Sequence, residues 1–304
     1  MKNKILVLGS YNVGLTMSVD KLPALGETVL GSGYTEGPGG KGSNQAIAAK
    51  RLGGRVEFVG CIGTDPYGKL AEELWSAEGV EHGRVKKIGV HTGLAFILVD
   101  GGGNNVIAVD PGANSLITEA DVEGLRGVIA EAGVLLLQLE TPLGTAVKAA
   151  SLARESGTKV ILNPAPMTDL SKVDLSLFDM LTPNLTEFRA MMGEGDDLRA
   201  RAARVLDRGA GALVVTMGEE GAFVATKEDS CAVPAPKVGA VDPTGAGDAF
   251  NGALAVALME GEDLRQAVAF ANYAGALTVT KREVVPALPT RAELEEFRRN
   301  DVLE

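Results

Sequence analysis

Two glycine-rich loops contain residue types suited to binding phosphate and moving a proton. The first runs from Val241 to Gly252, reads VDPTGAGDAFNG and leads into an Ala-rich helix. Small residues leave backbone N–H groups open at the positive end of a helix dipole, which suits a phosphate or a developing oxyanion. Asp248 falls in the first turn, where we expect an ionised carboxylate. Alternatively, Asp248 only complements the dipole and the glycines only form a turn.

The second loop, residues 37–46, reads GPGGKGSNQA and also leads into a helix. Lys41 and Asn44 could both face a hydroxylated ligand there. The loop is not a Walker A motif, because Gly42 rather than Ser or Thr follows the lysine. The alternative is a flexible turn with Ser43 as the helix N-cap.

Two further segments follow predicted strands. Residues 182–187, TPNLTE, predict a capping box of Asn184 and Glu187, and the same pair could hold the water shell of a magnesium ion. Residues 216–221, TMGEEG, lie at a strand's carboxyl end, where open parallel sheets bind ligands, although a hairpin turn explains them equally well. Glu140 and Asn163 also follow strands and fit the same crevice.

Composition excludes several classes of function. The 304 residues carry a net charge of −11, and aromatic residues make up 4%, which argues against nucleic-acid binding. Cys61 and Cys231 offer no redox or metal pattern. No apolar stretch reaches 18 residues, so we expect a cytoplasmic, soluble protein that contacts neither nucleic acid nor membrane.

Buried strands and amphipathic helices alternate, which predicts an α/β fold: a doubly wound, mostly parallel sheet with helices on both faces. We expect a single domain over residues 1–304. Segments 12–40 and 90–110 break the alternation and predict a small β-sheet lid, the second as a hairpin of Leu94–Asp100 and Asn105–Asp110. The predicted strands are Ile5–Gly9, Val56–Cys61, Val134–Leu139, Lys159–Leu162 and Ala212–Thr216. The predicted helices are Asn44–Leu52, Leu70–Glu78, Pro142–Glu155, Leu198–Arg208, Ala246–Glu260, Leu264–Thr280 and Arg291–Arg299.

Together the motifs resemble those of one family, the ribokinase-like or PfkB carbohydrate kinases, with the ribokinase branch closest. The likeness runs from Ile5 to about Phe297. It rests on five segments in the expected order, GGKGSN (39–44), QLETP (138–142), NPAP (163–166), TPNLTE (182–187) and DPTGAGD (242–248).

The resemblance implies ATP-dependent phosphorylation of a primary hydroxyl on a pentose or related small sugar, with Mg²⁺ and a homodimer formed through the lid. Asp248 would be the general base, and an anion hole would be formed by Gly245, Ala246 and Gly247. The implied sugar-binding residues are Asn12, Gly39, Gly40, Lys41, Asn44, Glu140 and Asp248. The implied nucleotide-binding residues are Asn184, Thr216, Gly218, Gly221, Gly247 and Asn272. Glu187 would hold Mg²⁺ through water, and Asp242 and Thr244 a monovalent cation.

Two departures from the family pattern affect specificity and activation. Ribokinases usually carry Asp two positions after the first sugar-binding Asn, where this chain has Gly14. The second half of the monovalent-cation loop has Glu283 and Ala287 in place of the usual Gly and Ser. We therefore expect weak or absent potassium activation.

Other functions fit less well. A nucleoside kinase shares the fold and the Gly-Ala-Gly-Asp loop and needs a wider, more apolar pocket. A non-catalytic sugar or nucleotide sensor would be favoured by loss of Asp248 or of the loop glycines, and all are present. An NAD-dependent dehydrogenase would need a G-x-G-x-x-G motif, which the chain lacks.

Overall fold

Strands and helices alternate through most of the chain in the computed structural model, which describes residues 2–195 and 197–301. The outer bounds of the predicted domain, residues 1 and 304, lie outside this part. The strands are β1 (Lys4–Leu8), β2 (Asn12–Val19), β3 (Gly31–Gly39), β4 (Arg55–Val59), β5 (Cys61–Gly63), β6 (Lys86–Ile88), β7 (Gly93–Asp100), β8 (Asn105–Asp110), β9 (Val134–Leu137), β10 (Lys159–Leu162), β11 (Met180–Leu181), β12 (Ala212–Thr216), β13 (Ala222–Ala225) and β14 (Ser230–Val233). The helices are α1 (Lys41–Arg51), α2 (Pro66–Glu78), α3 (Glu119–Glu123), α4 (Arg126–Glu131), α5 (Leu143–Ser156), α6 (Leu185–Met192), α7 (Leu198–Asp207), α8 (Ala246–Glu260), α9 (Leu264–Thr278), α10 (Val284–Ala287) and α11 (Arg291–Asp301).

The main sheet has eight strands within the described residues, in the order β14-β13-β12-β11-β10-β9-β1-β4. All pairs from β4 to β12 are parallel. The last two strands, β13 and β14, are antiparallel and form one edge. The chain turns into β13 through a hairpin closed by a hydrogen bond from Met217 N to Gly221 O of 2.8 Å. The predicted mostly parallel sheet is therefore confirmed, and TMGEEG is a hairpin turn as the alternative interpretation proposed.

Helices cover both faces of this sheet. Ile5 and Val7 of β1 pack with α1, α8 and α9 in one apolar cluster. Leu6 and Leu8 point the other way and pack with α5 and α7 in a second cluster. Strands buried on both faces form continuous apolar runs rather than alternating ones, which is the pattern seen in the sequence. In the described part of the chain, no helix is both long and apolar enough to span a membrane.

A second, smaller sheet contains strands from both segments that break the alternation. Its order is β3-β2-β7-β8, with β2 and β7 parallel and the outer pairs antiparallel. The hairpin of β7 and β8 is confirmed. Asp100 closes its turn, because Asp100 Oδ1 accepts hydrogen bonds of 2.9 Å from the backbone N–H groups of Gly102 and Asn104.

Helix α1 begins three residues earlier than predicted, and Ser43 is not its N-cap. Gly39 ends β3, and Gly40 caps the helix with φ 89° and no side-chain hydrogen bond. A Cβ on Gly40 would lie 2.6 Å from Tyr11 Cα, so only glycine allows this turn against the neighbouring strand. Ser43 is buried inside the helix, where its Oγ accepts a 2.9 Å hydrogen bond from Trp75 Nε1.

Two predicted strands are shorter in the structure. The predicted strand Val56–Cys61 is divided, because β4 ends at Val59 and β5 pairs separately with β6. The predicted strand Val134–Leu139 ends at Leu137. The chain then leaves the sheet and places Glu140 beyond its carboxyl edge.

Candidate active site

The N-termini of α1 and α8 lie side by side because small residues let the two helices approach closely. A Cβ on Gly252 of α8 would lie 2.7 Å from the Cβ of Ala48 and 2.8 Å from the backbone N of Ala49. Glycine is the residue that permits such backbone proximity. The two glycine-rich loops therefore meet, and Asn44 and Asp248 are in contact although they lie 204 positions apart.

Asp248 has both carboxylate oxygens held by amides of α1. Asn44 Nδ2 donates to Oδ2 at 2.9 Å and Gln45 Nε2 donates to Oδ1 at 3.0 Å. Burial raises the pKa of Asp248, while the charge of Lys41 and these two hydrogen bonds oppose the rise. The prediction of an ionised carboxylate considers only the helix dipole, which lowers the pKa of Asp248, whereas burial raises it. A raised pKa makes the carboxylate a stronger base.

Glu140 joins the start of α1 to β2. Its Oε2 accepts hydrogen bonds from the Ser10 hydroxyl, from Lys41 N at 2.9 Å and from Asn12 Nδ2 at 3.3 Å. Asn114 in turn fixes Asn12, because Asn114 Nδ2 donates to Asn12 Oδ1 at 2.8 Å. Sequence reasoning missed Asn114, since no local pattern marks it. Among the predicted sugar-binding residues, Glu140 thus contacts both Asn12 and the backbone of Lys41.

Lys41 is the basic residue among these carboxylates. Burial lowers its pKa, but the charges of Asp248, Glu140 and Glu187 outweigh burial and raise the pKa above its usual value. The ammonium group therefore stays protonated at neutral pH. A fixed positive charge at this place can attract an anionic group of a ligand.

The loop before α8 contains the three residues of the predicted anion hole. Gly245 is the N-cap, with φ 84°, and Ala246 and Gly247 open the helix. Asn251 Nδ2 donates to Gly247 O at 2.8 Å, which orients the peptide between Gly247 and Asp248. A Cβ on Gly247 would meet no atom within 4 Å, so space adjoins the backbone there. The backbone N–H groups at this helix start can bind an anion.

Asn184 and Glu187 form the predicted capping box at the start of α6. Asn184 Oδ1 accepts from Glu187 N, and Glu187 Oε2 accepts from Asn184 N, both at 2.8 Å. Asn184 also forms a parallel bridge with Thr216, which brings two of the predicted nucleotide-binding residues together. Burial raises the pKa of Glu187, and the charge of Asp248 adds to this rise. Glu187 therefore belongs electrostatically to the same site as Asp248.

Glu187 could hold magnesium through the water shell of the ion. Among residues 2–195 and 197–301, no group of three or more His, Cys, Asp or Glu side chains could hold a metal ion directly. Magnesium dehydrates reluctantly and keeps several of its waters, so one nearby carboxylate can hold the hydrated ion. Glu187 fits that role, because its capping hydrogen bond uses Oε2 and leaves Oε1 for a water ligand of the ion.

The remaining predicted nucleotide-binding residues lie around the β12–β13 hairpin and β14. Gly218 and Gly221 bound the hairpin turn, with φ 61° and 92°. Asn272 of α9 is buried, and its Nδ2 donates to Val233 O at 2.9 Å and to Pro234 O at 3.2 Å. The amide of Asn272 thus holds the segment after β14 in place.

The first half of the predicted monovalent-cation loop lies beside the end of α9, which leads into the second half. Asp242 N donates to Val279 O at 3.1 Å. Asp242 Oδ1 accepts from Thr244 N at 2.9 Å and from Thr244 Oγ1 at 2.6 Å. In the second half, Glu283 has φ 65°, a conformation that favours glycine, and Ala287 is buried. The structure therefore accommodates Glu283 where the family usually has glycine.

Gln45 is the contact of Asp248 that sequence reasoning missed. Its Nε2 also donates to Asn163 Oδ1 at 3.2 Å, and its Oε1 accepts from Gln138 Nε2 at 2.6 Å. Asn163 lies at the sheet edge, as expected from its place after a strand. In the sequence, Gln45 is marked only by its position, because it is a polar residue that directly precedes the apolar residues of a buried helix.

Known proteins match this chain over nearly its whole length, both in sequence and in structure. The model of the pfkB family carbohydrate kinases matches residues 2–291. A ribokinase of Haemophilus influenzae is 40% identical over 302 residues, covering 98% of this chain and 99% of the relative. The crystal structure of a Thermotoga maritima ribokinase superposes with a TM-score of 0.90 at 35% identity, covering 97% of this chain and 99% of that chain. A structure of Arabidopsis thaliana ribokinase complexed with ribose and ATP gives a TM-score of 0.89 at 29% identity, covering 98% and 99%.

These matches confirm the family that the five sequence motifs indicated. The match covers both the large sheet and the small one, and it includes the glycine-rich loops at the starts of α1 and α8. The chain belongs to the pfkB family of carbohydrate kinases and is an ATP-dependent sugar kinase.

Proposed function

We propose that this kinase phosphorylates a primary hydroxyl of a pentose or a related small sugar, with Asp248 as the general base. The observation that carries the proposal is the carboxylate of Asp248, buried and held by Asn44 and Gln45 beside Lys41. The ribokinase relatives support a pentose as the substrate class.

The proposed proton acceptor lies between the two glycine-rich loops. Asp248 accepts the proton of the sugar hydroxyl as that oxygen attacks the γ-phosphate in line. The backbone N–H groups of Gly245, Ala246 and Gly247 stabilise the negative charge that develops on the transferred group. Lys41 adds a fixed positive charge on the same side.

The sugar hydroxyls are bound by polar groups that the protein leaves available. Asn44 Oδ1 is buried and, in the described part of the chain, has no hydrogen-bond partner. A buried acceptor without a partner is costly, so a donor from the ligand would satisfy it. The proposed sugar-binding residues are Asn12, Gly39, Gly40, Lys41, Asn44, Glu140 and Asp248.

The nucleotide is placed at the carboxyl ends of β11 and β12. Asn184 and Thr216 bridge there, and the turn from Gly218 to Gly221 follows. Asn272 shapes the wall behind the turn, and Gly247 contributes to the phosphate end. Magnesium neutralises phosphate charge when it is bound, and Glu187 would hold it through water. We also propose that the enzyme acts in the cytoplasm, which its need for ATP supports.

The small sheet acts as a lid over the sugar and as the interface of a homodimer. Apolar side chains on its strands are about half exposed: Phe96 51%, Val106 54%, Ile107 52% and Val109 51%. Exposed apolar residues on one hairpin support an interaction surface there.

Replacing Asp248 with Asn tests the general base. The amide keeps the size and the place of the side chain but cannot accept the proton. We expect kcat to fall by about 10²–10⁴, the usual contribution of a positioned base. ATP binding measured by calorimetry should barely change. Asp263→Asn makes the same change at the start of α9 and should keep wild-type turnover. An Asp248→Asn enzyme with most of its turnover would remove Asp248 from this role.

Potassium should activate the enzyme weakly or not at all, because Glu283 and Ala287 replace the usual residues of the cation loop. Rates are compared in potassium, sodium and tetramethylammonium chloride at equal ionic strength. A many-fold rise specific to potassium would show that Asp242, Thr244 and backbone carbonyls suffice. In that case the cation site tolerates the altered second half.

Gly14 should make D-ribose a mediocre substrate. Asn12 and Gly14 lie two residues apart on β2, so a side chain at position 14 would share the face of Asn12. A hydrogen bond from a sugar hydroxyl to a carboxylate there is worth roughly 1.5–3 kcal/mol, or about ten- to 150-fold in affinity. ADP release across a panel of pentoses, hexoses and nucleosides measures the preference. The space beside Gly14 also keeps a nucleoside kinase as the second candidate.

Gly14→Asp should raise kcat/KM for ribose. A Cβ at Gly14 would lie 3.6 Å from both Gly37 O and Ile97 Cδ1, which is ordinary contact, and Gly14 does not have a positive φ. Gly14→Asn adds a similar shape without charge and should improve ribose less. If the native enzyme prefers ribose to every other candidate with a micromolar KM, the proposed effect of Gly14 is wrong.

A charge on the small sheet should break the dimer. We expect Ile107→Asp to shift the mass measured by light scattering from dimer to monomer, because burying a carboxylate in an apolar interface is costly. Leu70→Asp is the control, since Leu70 is exposed as well but lies on α2, outside both segments of the small sheet. A wild-type protein that is monomeric at micromolar concentration would contradict the proposed interface.

A further inference from the structure

Gln45 stands out among the polar residues that the proposed mechanism does not use. Its side chain is fully buried, and the next residues of α1, Ala46 and Ile47, are apolar. A buried amide is costly unless its donor and acceptor groups are paired. Gln45 pairs both, and one of its partners is the carboxylate of Asp248.

The contacts of Gln45 allow only one orientation of its amide. Gln138 Nε2 donates to Gln45 Oε1 at 2.6 Å, but Gln138 Oε1 has no hydrogen-bond partner among the described residues, so Gln138 takes its orientation from Gln45. Asn163 Oδ1 is an acceptor and lies 3.2 Å from Gln45 Nε2. Asn163 is itself oriented by the main chain, because its Nδ2 donates to Thr182 O at 2.8 Å. A flipped Gln45 would turn its Oε1 toward Asn163 Oδ1 and Asp248 Oδ1, which are both acceptors.

We propose that Gln45 is a positioning residue that holds the carboxylate of Asp248 in place, and that Asn163 fixes the orientation of the Gln45 amide while Gln138 pairs its oxygen. This inference rests on the proposed role of Asp248 as the base. Asn44 holds the other oxygen of the carboxylate. The two successive residues of α1 therefore fix the plane of the carboxylate, and Gln45 does so without any predicted contact with the sugar.

A donor on the carboxylate also favours its ionised form. Asp248 shares this site with three other charged groups. They are Lys41 on α1, Glu140 after β9 and Glu187 on α6. Gln45 is uncharged over the working pH range, so its loss leaves these three charges unchanged. Removing its hydrogen bond should raise the pKa of Asp248, and the base should become protonated at a higher pH.

The test is the pH profile of kcat/KM for the best sugar substrate at saturating magnesium and ATP. Gln45→Met keeps the length of the side chain and removes the donor. We expect the acidic limb to move up by about one to two pH units, as expected for a lost hydrogen bond to a charged group. The KM for ATP should not change. Ser43→Ala is the matched control, because it removes a buried contact of the same helix that does not involve Asp248.

Gln138→Met is the second variant and remains informative if Gln45→Met does not fold. It removes the donor to Gln45 Oε1 without touching Asp248, so we expect a smaller shift in the same direction. The double variant should behave as Gln45→Met alone. An acidic limb that stays at its wild-type position in a folded Gln45→Met enzyme, or in Gln138→Met if the first is unfolded, overturns the proposal.

The two proposals fail in different ways. If Asp248→Asn retains turnover, Asp248 is not the base, whatever the Gln45 variants do. If Asp248→Asn is inactive and the acidic limb of the Gln45→Met enzyme is unmoved, only the positioning role of Gln45 is wrong.

Discussion

The hydrogen bonds from Asn44 and Gln45 to Asp248 are the interaction on which the site depends. They join the N-termini of two helices, α1 and α8, that belong to opposite ends of the sequence. A buried carboxylate is costly unless donors compensate for lost water, and the two amides supply them. The amides reach Asp248 only because Gly252 lets α8 lie directly against Ala48 of α1.

The rest of the site is arranged around this pair of helices by the parallel sheet. Ligands bind at the carboxyl edge of open α/β sheets, where successive strands end together. Glu140 follows β9, Asn163 follows β10, Asn184 follows β11 and Thr216 ends β12. The order of these strands in the sheet therefore sets the order of these four residues across the site.

Charge balance links the small sheet to the same centre. Glu140 accepts hydrogen bonds from the backbone of Lys41 and from Asn12 of β2, so one carboxylate ties the second sheet to the start of α1. The carboxylates near Lys41 raise its pKa and keep it charged. A movement of β2 would therefore change the surroundings of Lys41, because both contact Glu140.

The sequence by itself determined the fold class, the small sheet's segments, the capping box of Asn184 and Glu187, and the family, because periodicity and glycine-rich loops are local signals. It did not determine the start of α1, since Gly40 turns against a strand that only the folded chain places there. It also missed Gln45 and Asn114, which look like ordinary polar residues until distant partners surround them. Only the tertiary structure decided that Asp248 is buried, so that its pKa is raised although a helix N-terminus alone would lower it. Burial depends on which elements pack together, and no local pattern of residues records it.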